Sequence, residues 1–65
     1  MTISQIINNP NLTYHHTATR KEYVSRKVPG IVRPYKGRFG EGYIILHPRW
    51  DTTTYCYVDY YITTN

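Results

Sequence analysis

Thr52-Thr53-Thr54-Tyr55-Cys56-Tyr57-Val58-Asp59-Tyr60-Tyr61-Ile62-Thr63-Thr64 is filled with β-branched and aromatic residues, the composition of a strand. At period two it splits into unlike faces. Cys56, Val58, Tyr60 and Ile62 make one, suited to a core; Thr53, Tyr55, Tyr57, Asp59 and Tyr61 make the other. The second face is a row of amphipathic rings with a single carboxylate among them. Tyrosines on the outside of a sheet form stacking platforms and protein interfaces. The segment predicts a sheet with a binding face.

Working back from it, His47-Pro48-Arg49-Trp50-Asp51 turns the chain, so the tyrosine strand returns antiparallel to Tyr43–His47. Tyr43–His47 is the most apolar stretch and the expected sheet centre. Lys36 to Gly42 holds three glycines and reads as a flexible loop. Ile31 to Lys36 is a strand, and Pro34, lacking a donor, places it at an edge. Tyr23 to Val28 reads as another strand, joined to it through a type II turn at Pro29-Gly30.

Residues 1–20 differ. Ile3, Ile6 and Ile7 make a helical stripe behind a Thr2 cap, and Asn8-Asn9-Pro10-Asn11 ends it. Leu12 to Arg20 is expected to be extended, without a clear pattern. The expected fold is mainly β. It is a single small domain with a helix or arm over 1–20 and an antiparallel four-stranded meander over 21–65, either a small SH3-like barrel or an open sheet.

A chain of 65 residues buries only about 60% of the surface its unfolded form exposes. Cys56 is the lone cysteine, so no disulfide forms within the chain, and on an inward face it reads as a small buried residue. Stability then leans on a partner, as a homodimer or a hetero-complex. The ten aromatic residues argue for a folded sheet rather than disorder. A secretory signal and a membrane-span pattern are both missing from the sequence, so the expected compartment is the cytoplasm. Asn11-Leu12-Thr13 matches the glycosylation triplet, a pattern short enough to arise by chance.

Charge is polarised. All eight cations (Arg20, Lys21, Arg26, Lys27, Arg33, Lys36, Arg38, Arg49) lie between positions 20 and 49, with Glu22 and Glu41 as the only acids there. Eight cations against two acids give that window a net +6, compared with +4 for the whole chain. Such a basic middle points to an anionic partner.

If Pro29-Gly30 makes a two-residue hairpin, Arg26 stands opposite Arg33. Like charges across a ladder are destabilising, so the pair needs an anion from phosphate, from a partner, or from the chain's own Asp or Glu. Gly37-Arg38-Phe39-Gly40-Glu41-Gly42 matches neither the P-loop nor the dinucleotide pattern, but offers Lys36, Arg38 and Phe39 as a contact point. Trp50 beside Arg49 reads as a core cap or, if exposed, as an interface anchor. His15-His16, His47 and Cys56 lack metal-site spacing, and neighbouring histidines on a strand point apart, so neither metal nor cofactor is expected. Catalysis is not expected either, because Cys56 and Asp59 face opposite ways and the chain is too short for a deep cleft.

The sequence therefore predicts a non-catalytic module that presents tyrosines and a basic rim to RNA or single-stranded DNA. Tyr55, Tyr57 and Tyr61 would stack on bases, while Arg26, Arg33, Lys36 and Arg38 would meet phosphates, with Arg49 and Trp50 as further contacts for the partner. The rival is a protein–protein module, an accessory subunit or small inhibitor of the phage type, docking on an acidic surface. Asp59 in the tyrosine row counts against phosphate.

Overall fold

A computed structural model of the protein describes residues 1–64. Thr2 opens helix α1 (Ile3–Ile7) through a reciprocal capping box: Thr2 Oγ1 accepts from Gln5 N at 3.2 Å, and Gln5 Oε1 accepts from Thr2 N at 2.8 Å. Asn8 stops it, its side-chain amide donating back to the Ser4 carbonyl at 2.9 Å. Four antiparallel strands follow: β1 (Leu12–Arg20), β2 (Ile31–Gly37), β3 (Gly40–Pro48) and β4 (Cys56–Thr63). They form one open sheet in the order β1-β4-β3-β2.

The mainly β fold and its helix are as the sequence predicts; one strand is not. Tyr23–Val28 joins no ladder, and Leu12–Arg20 supplies the fourth strand by pairing with β4. The stretch set apart as a helix or arm thus holds the helix and a full edge strand. Strands β2, β3 and β4 meander, while β1 returns to lie beside β4, a Greek-key arrangement entered from its long connection. Because β1 and β2 are the two outer strands, residues 21–30 must cross the sheet as a strap. A segment that runs across the strands rather than along one joins no ladder, which overrides its strand-like composition.

The alternation of β4 holds. Cys56, Val58 and Tyr60 lie on the strap face with Ile44 and Leu46 of β3 and Ile31 and Tyr35 of β2. Val24 is the strap's inward residue and closes that core. On the other face, Ile45 of β3 is fully buried on the side that α1 covers, and Ile6 is the helix's fully buried residue. The sheet is therefore sandwiched between one turn of helix and one crossing of chain.

Two further expectations change. β4 begins at Cys56 rather than Thr52, because Thr52 Oγ1 accepts from Thr54 N at 3.2 Å and curls the start of the run into a loop. The glycine-rich segment is a tight hairpin, Gly37 pairing with Gly40 around the two residues Arg38 and Phe39.

Cys56 is fully buried, and desolvation pushes its thiol above the ordinary range. Tyr61 is shifted upward too, by burial first and by the nearby Asp59 charge second. A raised folded-state value means that the stabilisation is complete below the unfolded pKa and is lost as pH rises through the folded one. Stability should accordingly decline above about pH 9. In the native state the thiol should react with an aromatic disulfide reagent at least about 100-fold more slowly than in denaturant. Equal rates in the two conditions would show that Cys56 is accessible.

Candidate nucleic-acid interface

The strap leaves β1 after Arg20, whose ladder partner is Cys56, itself paired with Pro48. The loop 49–55 between β3 and β4 therefore lies at the same end of the sheet as the start of the strap. Ser25 shapes the strap's turn: its hydroxyl accepts from Lys27 N at 3.2 Å and its carbonyl from Val28 N at 3.3 Å. That turn leaves Arg26 and Lys27 exposed at its crest, with Lys21 and Tyr23 exposed before it. Arg26 is near enough to Asp51 for its charge to help hold that carboxyl down, after the larger effect of the Arg49 hydrogen bond.

The aromatic residues at this end are out in solvent. Trp50 is 80% exposed, Tyr23 64% and Tyr55 42%. A tryptophan left this bare is not capping a core. Arg49, by contrast, is held: its Nε and Nη2 grip Asp51 at 2.9 and 2.5 Å, and its guanidinium lies 5.3 Å from the Tyr57 ring centre. This brace fixes the base of the loop that displays Trp50.

Arg26 and Arg33 are not cross-strand neighbours. Arg33 stands opposite Ile44, and its anion is the chain's own Glu22, at 2.5 Å. Glu22 also takes Arg20 at 3.4 Å, so one half-buried strap carboxylate ties a cation from each outer strand. Among the described residues, Lys21, Arg26, Lys27, Lys36 and Arg38 make no ion pair, and three of these five ride on the strap.

No family model, curated protein or solved structure matches the chain.

The ten residues singled out by sequence fall into separate places. Arg26, Arg49, Trp50 and Tyr55 gather at the strap end, and Arg33 is engaged beneath it by Glu22. Lys36, Arg38 and Phe39 sit at the opposite end, around the β2–β3 hairpin. Phe39 is not a projecting contact; it packs half-buried against His15 and His16 (4.6 Å each) and Tyr60 (5.4 Å). Both histidines reach it because a bulge between Tyr14 and Thr17 breaks the alternation that would have pointed them apart.

Tyr57 and Tyr61 share a face with Asp59, but it is the face α1 covers, and all three are half-buried. Tyr61 lies 5.6 Å from the Tyr14 ring and pairs with Tyr43 across the ladder. Asp59 is occupied by the protein itself: one oxygen accepts from Thr17 Oγ1 at 2.7 Å, and the other meets His47 Nε2 at 3.0 Å. The Tyr14 hydroxyl bonds Thr17 in turn. This chain of polar groups spans β1, β4 and β3 and follows from the register alone. Cys56 is on the opposite face from it.

Sequence reasoning missed Lys21, Tyr23 and Lys27. Reading 23–28 as a strand hid the signal, which is a stretch whose only deeply buried side chain is Val24. Among the described residues, no three His, Cys, Asp or Glu side chains are gathered as a metal site. No described helix is long and apolar enough to cross a membrane.

Proposed function

We propose that the protein is a non-catalytic binder of single-stranded nucleic acid, RNA or DNA, acting through the strap end of the sheet. What carries the reading is the meeting of bare aromatic rings with unpaired cations at one end of the molecule. Tyr23, Trp50 and Tyr55 offer faces on which bases stack, and Lys21, Arg26 and Lys27 offer charge to the phosphates. The carboxylate that spoiled the tyrosine row is no obstacle here, since Asp59 lies on the other face and is engaged by His47 and Thr17.

Binding to a mixed-sequence single-stranded oligonucleotide at about 50 mM and 200 mM salt tests the proposal. A steep loss of affinity between the two, and a further loss in Trp50→Ala, supports it. No binding at the lower salt overturns it, and leaves an acidic protein surface as the partner for the same cations.

Glu22→Gln gives a result that separates binding from folding. It releases Arg20 and Arg33, so oligonucleotide affinity should rise by roughly fivefold at low salt. The same change removes a shared ion pair and should lower stability by about 1 kcal/mol. Chemical denaturation and fluorescence titration of the one variant check both directions.

A further inference from the structure

On the helix face, a groove of about 660 Å³ runs between α1 and the β2 side of the sheet. Ile3, Ile7, Pro29 and Val32 give it apolar walls, and Gly30 and His47 complete it. No Lys, Arg, Asp or Glu lines it, which sets it apart on a protein with eight cations. A Cβ on Gly30 would stand 3.0 Å from Ile3 Cδ1 and 3.4 Å from His47 Nδ1. Glycine lets these walls approach that closely, since a side chain there would crowd them and the Leu46 carbonyl oxygen at 3.2 Å.

His47 is oriented toward this space. Its Nε2 faces Asp59, and an ionised carboxylate only accepts, so Nε2 carries the hydrogen. With Nε2 carrying the one hydrogen of a neutral imidazole, Nδ1 beside Gly30 is an acceptor, and it makes no hydrogen bond among the described residues. Thr17 holds the other Asp59 oxygen, so the imidazole is positioned from behind.

We infer that this groove binds a small, uncharged, largely apolar molecule carrying one hydroxyl or N–H, which donates to His47 Nδ1. Size favours such an occupant over a protein. The volume lies within the range of about 300–1,000 Å³ usual for small-molecule sites. The nine lining residues fall short of the roughly 20–30 per side of a stable protein interface. Chemistry excludes the oligonucleotide itself, since a phosphate would meet no cation here. The groove therefore takes a different chemistry from the exposed rings and cations, although Pro29 and Gly30 at the close of the strap help to line it.

Two probes of one shape decide the matter: 4-ethylphenol, with a donor, and ethylbenzene, without. Titrated into ¹⁵N-labelled protein, the phenol should produce saturable shifts at Ile3, Ile7 and Val32 and at the His47 ring nitrogens. It should bind at least about tenfold more tightly than ethylbenzene. His47→Phe should abolish the difference between the probes. Ile7→Asp, at a rim position 54% exposed, should weaken both by about tenfold. The inference is overturned if neither probe shifts these residues at millimolar concentration, or if the two bind alike to the native protein. It is also overturned if the protein sediments as a dimer with concentration-dependent shifts at Ile7 and Val32, which would place a second copy in the groove.

Discussion

Gly42→Ala should leave the protein largely unfolded at 37 °C. Gly42 is buried in β3 opposite Ile62 of β4, the last pair of the ladder between the two inner strands. A Cβ built there falls on the Tyr61 carbonyl oxygen and lies 3.0 Å from Ile62 Cα. Both obstacles are backbone, so no rotamer change relieves them; the central ladder has to move. Overpacking of a tight site costs about 1–3 kcal/mol and occasionally more. A core of this size supplies only about 3–5 kcal/mol in total. The loss is thus comparable with the whole stability. Gly37→Ala is the control, because its Cβ meets only the Tyr35 ring, the nearest atom being the hydroxyl at 2.8 Å, and a side chain can yield. Thermal and urea melts followed by circular dichroism should show the first variant collapsing and the second within a few degrees of the native protein. Equal melting of all three would mean that β3 and β4 are less closely apposed at Gly42.

The second large effect concerns binding. Replacing Lys21, Arg26 and Lys27 together by Gln removes the three strap cations that make no ion pair among the described residues. Each phosphate contact to a single strand contributes about 0.7 to the slope of log affinity against log salt. Losing three should flatten that slope by about 2 and weaken binding roughly 100-fold at low salt. Stability should stay within about 0.5 kcal/mol, since all three side chains are exposed. The matched double variant Lys36→Gln, Arg38→Gln, at the far end of the sheet, should leave affinity within about twofold. An equal loss in both variants would indicate diffuse attraction to net charge rather than an interface at the strap.

How far the fold could be read from sequence depended on whether local pattern or topology decided each element. Val58 and Cys56 alternate with Tyr57 and Asp59, and Tyr43–His47 is apolar throughout, so β4 and β3 were legible. The Thr2 cap and the isoleucine stripe made α1 legible as well, although only Ile6 is fully buried. β1 was not legible as a paired strand, because its bulge interrupts the two-residue period and its core-facing positions include Ala18 and His16 rather than large apolar residues. The strap misled for the opposite reason: Tyr23–Val28 looks like a strand, yet it is required to bridge two outer strands. The candidate site inherits the same divide. Trp50 and Tyr55 stood out by residue type, whereas Tyr23 and Lys27 acquire their place only once the strap is known to cross the sheet. The pairing of Glu22 with Arg33 likewise joins residues that no local rule connects.

Strand β4 pairs with β3 on one side and β1 on the other, joining Leu12 to Thr63. During synthesis, the first fifty-five residues therefore have no sheet to complete and must wait for the final strand. The β2–β3 and β3–β4 pairings join strands that are neighbours in sequence; only the β1–β4 pairing closes across most of the chain, with Leu12 meeting Thr63. That one distant closure is the step that slows folding for a chain of this size. The order of assembly that follows is a hairpin first and the two flanking layers last, with β4 as the step that commits the nascent chain.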